Sequence, residues 1–103
     1  MANRLKERYN PRPTERERQF HIWLMDTFPC ACGCGGQATV VHHVLGSHPA
    51  KRWRRDHAVV VPMTAEHHMK LHAMGSERLF DPDQDYGERA ANFKQMAMEL
   101  GKL

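Results

Sequence analysis

Histidines at helix and strand spacing are the residues best suited to chemistry in this 103-residue chain, which contains eight of them. His68 and His72 are four residues apart, so on a helix their side chains lie on one face, about 5–6 Å apart, and can bind one ion together. His67 is rotated by about 100° from His68 and faces another direction. The pair His42-His43 ends a β-branched stretch. This spacing predicts one metal site between the helix and the strand histidines, and a different role for His67.

Three cysteines lie close together, and glycines separate and follow them. Cys30, Cys32 and Cys34 cannot all pair as disulfides, and a reducing compartment would keep them as thiols. With His67 they supply the four sulfur and nitrogen ligands of a structural zinc site, and the glycines allow the backbone to fold around an ion as a knuckle. The alternative is a set of inert buried thiols, because Cys-x-Cys-x-Cys is an irregular ligand spacing.

A thin hydrophobic core makes metal binding useful for stability. Val, Ile, Leu and Phe account for 18 of 103 residues, below the one-fifth level at which a chain readily buries enough apolar surface. The length allows one small domain. Metal ions often stabilise domains of this kind.

Positive charge is modest overall but clustered. The formal net charge is +3. We expect residues 1–13 to be a flexible basic arm. The residues predicted to contact a DNA backbone are Lys51, Arg52, Arg54 and Arg55. A merely solvated loop is the alternative for this cluster, and Trp53 within it can either stack on bases or pack in the core.

Secondary-structure signals place these residues on defined elements. Capping spacing and apolar periodicity predict helices over 15–27, over 65–74 and from residue 86 to a glycine at 101. The apolar face of the last helix is predicted to comprise Phe93, Met96, Ala97 and Leu100. Strands are predicted over 38–44 and over 58–61, with Pro62 ending the second. The centre of the chain is therefore a β-β-α unit.

A series of short motifs resembles the HNH endonucleases of phages and prophages, over roughly residues 28–100. The motifs are Val41-His42-His43-Val44, Arg55-Asp56-His57, Val60-Val61-Pro62, Glu66-His67-His68 and His72-Ala73-Met74-Gly75. Members of this family have a ββα-metal active site that they share with colicin-type nucleases. The resemblance implies that His42, His68 and His72 bind a catalytic metal, that His43 is the general base, and that Asp56 or His57 orients His43. Many members have a further zinc-binding cysteine before the helix, where this chain has Met63 and Thr64.

Together these observations predict an α+β domain over residues 14–103, with a ββα-metal core at about 38–75 and flanking helices. The expected function is hydrolysis of DNA phosphodiester bonds with a divalent cation (Mg, Mn, Ni or Zn), in phage or prophage DNA processing or recombination. We also expect a structural zinc, a monomer or weak dimer, and no membrane association. The absence of an apolar leader or span predicts a cytoplasmic protein, in the bacterial host if phage-encoded. The alternative is a non-catalytic, zinc-stabilised module that binds nucleic acid.

Overall fold

The computed structural model describes residues 12–44 and 56–103. Four helices and two strands are present in these two segments. In chain order they are α1 (Glu15–Thr27), β1 (Val40–His43), β2 (Val60–Met63), α2 (Ala65–Met74), α3 (Glu77–Phe80) and α4 (Tyr86–Glu99). The predicted basic arm, apart from its last two residues, and the cluster Lys51, Arg52, Arg54 and Arg55 lie outside the described residues.

The first helix begins where its capping residues predicted. The Thr14 side chain accepts a hydrogen bond from the Glu17 amide, and the Glu17 side chain accepts one from the Thr14 amide. This reciprocal pair satisfies two of the amides that a helix start leaves without partners. The bounds of α1 confirm the prediction over 15–27.

The two strands form an antiparallel pair in which Val40 is opposite Met63 and His43 is opposite Val60. β1 is shorter than the strand predicted over 38–44, and β2 lies two residues later in the chain than the strand predicted over 58–61. Pro62 does not end β2 but lies within it, opposite Val41. The Pro62 carbonyl accepts a hydrogen bond from the Ala31 amide, so this residue's backbone faces away from β1. Proline is tolerated at this position because no N–H is needed there for pairing with β1.

The core lies around β2, whose four residues are all buried. Helices α1 and α4 both pack against this strand. An aromatic contact joins the end of α1 to α4, since the ring of Phe28, the C-cap of α1, lies 4.9 Å from the ring of Phe93. The buried residues of α1, β2 and α4 are Phe20, His21, Leu24, Val60, Val61, Pro62, Met63, Tyr86, Ala90, Phe93 and Ala97. β1 is thereby held at the side of the core, and its last residues reach toward α2 and α3.

The prediction of the apolar face of α4 was wrong in two positions. Met96 is 38% exposed and Leu100 is 60% exposed. The buried face instead uses Tyr86 and Ala90 together with Phe93 and Ala97, at spacings of four and three residues. Alanine allows the helix backbone to approach β2 closely, and this small side chain gives only a weak signal in a hydrophobicity pattern.

The helix α2 has the predicted bounds, with Thr64 as its N-cap and Gly75 as its C-cap. Gly75 adopts a left-handed conformation with φ of +92°, which glycine reaches without strain. The chain then turns directly into α3, a four-residue helix that was not predicted and that Ser76 caps. Gly75 and Ser76 therefore return the chain to the neighbourhood of β1.

Among the described residues, none of the helices is both long enough and apolar enough to cross a membrane.

Candidate metal centres

The cysteine segment forms a compact knuckle that starts directly after α1. The Cys30 amide donates to the Gly36 carbonyl, and the Gly33 amide donates to the Cys30 carbonyl. Gly33 and Gly35 have φ angles of +86° and +80°, which allow the two reversals of direction. These turns bring the three thiols to one side of the loop.

Helix α2 supplies the fourth member of the cysteine cluster. His67 Nδ1 lies 3.2 Å from the Cys32 sulfur and 3.8 Å from the Cys30 sulfur, and the two sulfurs are 3.3 Å apart. With Cys34 included, the four ligand atoms all lie within 4.8 Å of one another. Tetrahedral zinc with bonds of about 2.0–2.3 Å places its ligand atoms roughly 3.3–3.8 Å apart. The Cys3His cluster is therefore close enough to hold a metal ion, as predicted, and its chemistry is consistent with structural zinc.

The protonation of the thiols also favours metal binding. Burial alone would raise the pKa of Cys30, but hydrogen bonds from the backbone at Cys32 and Thr64, and from His67, lower it to about 6. Burial and the contact with Cys30 raise the pKa of Cys32. The lowered pKa favours the thiolate form of Cys30, and the thiolate is the form that ligates metals.

A second cluster joins β1 to α2. One ring nitrogen from each of His42, His68 and His72 lies within 4.8 Å of the other two. The Nε2 atoms of His68 and His72 are 3.0 Å apart. In the metal-free state one of these nitrogens must donate a proton to the other, whereas a shared cation lets both lone pairs point inward. The three histidines predicted as ligands are therefore brought together.

His42 is the buried member of this group, with 2% of its surface exposed. Its Nε2 lies 2.6 Å from a carboxylate oxygen of Glu77, on α3. Its other ring nitrogen, Nδ1, is buried and has no hydrogen-bond partner among the described residues. Sequence reasoning missed Glu77, although a glutamate five residues beyond His72 and directly after a Gly-Ser turn is a detectable signal.

His43 has different neighbours from His42, as alternation along a strand requires. Its Nε2 lies 2.9 Å from His57 Nδ1. Its ring also meets the ring of His21 edge to face, with centroids 6.0 Å apart. Of the two residues predicted to orient His43, His57 therefore contacts it through a ring nitrogen. The Asp56 carboxylate accepts a hydrogen bond from the Ala58 amide, in the turn before β2.

His21 is a buried histidine of α1 that sequence reasoning did not assign to the site. Its Nε2 lies 2.7 Å from the His57 carbonyl oxygen. A carbonyl can only accept, so Nε2 carries the proton and donates. Burial lowers the pKa of His21, and the imidazole is neutral at neutral pH. His21 thus holds the backbone of the residue whose ring faces His43.

Comparisons with protein-family models, with curated proteins and with solved structures gave no match to this chain. The site is therefore interpreted from its own geometry.

Proposed function

We propose that this protein is a metal-dependent endonuclease of the HNH type that hydrolyses DNA phosphodiester bonds. The observation that carries the proposal is that two adjacent histidines of β1 have different partners. His42 belongs to a three-histidine group suited to a cation, and the next residue, His43, is paired through one nitrogen with His57. Metal-assisted phosphodiester hydrolysis needs a cation that stabilises charge on the phosphate and a base that takes a proton from water.

The residues divide the reaction between them. In the proposed step His43 takes a proton from a water molecule, while the contact of its Nε2 with His57 sets the ring orientation. The water oxygen forms a bond to phosphorus, and the bond from phosphorus to the 3′ oxygen breaks. The leaving oxygen takes a proton from solvent, and the products are a 5′-phosphate and a 3′-hydroxyl. A cation held by His42, His68 and His72 would supply charge stabilisation for the phosphate and the leaving oxygen.

Three protein ligands suit this role because they leave coordination positions for phosphate and water, as catalytic sites require. Imidazole ligands favour Ni or Zn, and Mg or Mn would be the more abundant working ions. We propose that the basic residues between β1 and β2 in the sequence, Lys51, Arg52, Arg54 and Arg55, contact the DNA backbone.

The Cys3His cluster has a separate role in the proposal, which is to hold a structural zinc. It joins the knuckle after α1 to the start of α2 through His67. Four sulfur and nitrogen ligands leave no open position on a tetrahedral ion. Zinc there would stabilise a chain with few large apolar residues, and it would fix the helix that bears His68 and His72.

The test is nicking of supercoiled plasmid by the zinc-loaded protein with Mg, Mn, Ni or Zn added in turn. Replacing the base, His43→Ala, is expected to lower the nicking rate about 10²–10⁴-fold. The same variant keeps the three-histidine group, so its affinity for the added metal is expected to stay within twofold of the wild type. His72→Ala is expected to lose both nicking and metal affinity.

A matched control is Gln95→Ala, on the exposed side of α4, purified in the same way and expected to nick at the wild-type rate. Equal nicking by wild type and His43→Ala would indicate a contaminating nuclease and refute the assignment of His43. Binding of DNA without nicking under any of the four metals would refute the enzyme and favour a non-catalytic nucleic-acid-binding module.

A further inference from the structure

Glu77 contacts a ring nitrogen of His42 and is a residue outside the three-histidine group. A carboxylate accepts hydrogen bonds and does not donate them when ionised, so the 2.6 Å contact with Glu77 requires that His42 Nε2 carries a proton. A neutral His42 then has its lone pair on Nδ1. Protonation and metal binding compete for that lone pair, and Glu77 decides which nitrogen is left for the metal.

His42 Nδ1 is the unsatisfied atom of this arrangement. It is buried and lacks a hydrogen-bond partner within the two described segments. A buried polar atom left without a partner costs about 1–3 kcal/mol. Coordination to a cation would satisfy it, and a hydrogen bond would not be needed.

Glu77 itself is not a member of the ligand group. The atoms within 4.8 Å of one another come from His42, His68 and His72 only. The Glu77 carboxylate contacts Nε2 of His42 instead. Histidines that bind metals commonly donate their second N–H to a carboxylate, which fixes the ring and makes the ligating nitrogen more basic.

The local fold explains why Glu77 reaches His42. The Gly75 C-cap turns the chain back after α2, and Ser76 caps α3 through the Leu79 amide. Glu77 is the first residue of that short helix, and 24% of its side chain is exposed. The same turn that ends the ligand-bearing helix therefore presents the carboxylate.

We propose that Glu77 is a positioning residue for the metal, holding the proton of His42 on Nε2 so that His42 binds the cation through Nδ1. This inference rests on the proposed metal site but adds a residue and a coordination mode to it. It predicts that the carboxylate contributes to metal affinity without contacting the metal.

The experiment titrates Ni²⁺ into the zinc-loaded full chain by calorimetry. Glu77→Ala is expected to raise the Ni²⁺ dissociation constant about 10–100-fold. Glu77→Gln is expected to raise it less, because its amide oxygen can still accept from Nε2. Glu66→Gln, at an exposed glutamate of α2, removes the same charge and is expected to bind as the wild type does.

A second readout separates positioning from a structural role. Long-range ¹H–¹⁵N spectra of the diamagnetic Zn²⁺-saturated protein report which nitrogen of His42 binds metal, and Nδ1 is expected. Ligation through Nε2 would overturn the proposal. Equal Ni²⁺ affinity of Glu77→Ala and wild type, with unchanged circular dichroism, would also overturn it. Neither result would decide the proposed function, which the plasmid nicking assay tests separately. Absence of any Ni²⁺ binding by the wild type would overturn the metal site itself, and the inference with it.

Discussion

The hydrogen bond from His21 to the His57 carbonyl makes a specific prediction for stability. His21→Phe keeps a ring of similar size in a position that is 8% exposed, but it removes the donor that lies 2.7 Å from the carbonyl oxygen. A buried acceptor that loses its partner costs about 1–3 kcal/mol. In a domain of this size each kcal/mol lowers the melting temperature by roughly 4–8 °C. We therefore expect the melting temperature to decrease by about 4–24 °C.

The assays are thermal unfolding and urea unfolding of the zinc-saturated protein, both followed by circular dichroism. The midpoint is expected to fall while the slope with urea stays constant, since the surface exposed on unfolding does not change. His21→Gln is the matched control, because its amide can donate to the same carbonyl, and it should recover most of the loss. A His21→Phe variant as stable as the wild type would refute the reasoning, since it would mean that the carbonyl needs no donor from α1.

Three further predictions concern protonation, the knuckle and its packing. Burial lowers the pKa of His21 in the folded protein below its ordinary value of 6.5. As the pH falls below 6.5, the unfolded chain therefore binds more protons at this residue than the folded protein does. Wild-type stability should therefore decrease more steeply than that of His21→Gln in urea titrations below pH 6.5, and parallel curves would contradict this. Cys30→Ser should weaken zinc binding in a chelator competition more than Cys34→Ser does, because Cys30 is buried with a pKa near 6 whereas Cys34 is exposed; the reverse order would exclude this ranking. Gly36→Ala should lower stability by about 1–3 kcal/mol, because a Cβ there would lie 2.8 Å from Thr64 Cγ2. Adding Thr64→Ser, which removes that methyl group and keeps the capping hydroxyl, should restore stability, and a double variant no better than Gly36→Ala would rule out this contact as the cause.

Local signals in the sequence were sufficient for three of the four described helices, α1, α2 and α4, and for the membership of the two clusters. Capping residues such as Thr14 and Thr64 act within three residues, so their effect can be read from neighbours in the chain. The spacing of His68 and His72 on one helix, with His67 facing elsewhere, likewise follows from helix geometry. The structure brings together both predicted ligand groups.

Contacts between distant segments could not be predicted in this way. His21 meets the His57 carbonyl across 36 residues of chain, and Glu77 meets His42 across 35. The sequence does not pair either of them, because each contact depends on how α1 and α3 pack around β1; the Gly-Ser turn before Glu77 marks the residue but not its partner. Pro62 was misjudged for a related reason, since its place inside a strand depends on which way its backbone faces. The assignments on residues 51–55 and the nuclease activity remain predictions.

The contact between Ala31 and Pro62 has a consequence for the behaviour of the protein at high concentration. A two-stranded sheet has two open edges, and an open edge can recruit a strand from another molecule. On the outer edge of β2, proline offers no donor and its carbonyl is already used by the Ala31 amide, at 2.8 Å. The knuckle therefore protects this edge against intermolecular β-pairing, which links the integrity of the cysteine loop to resistance against aggregation.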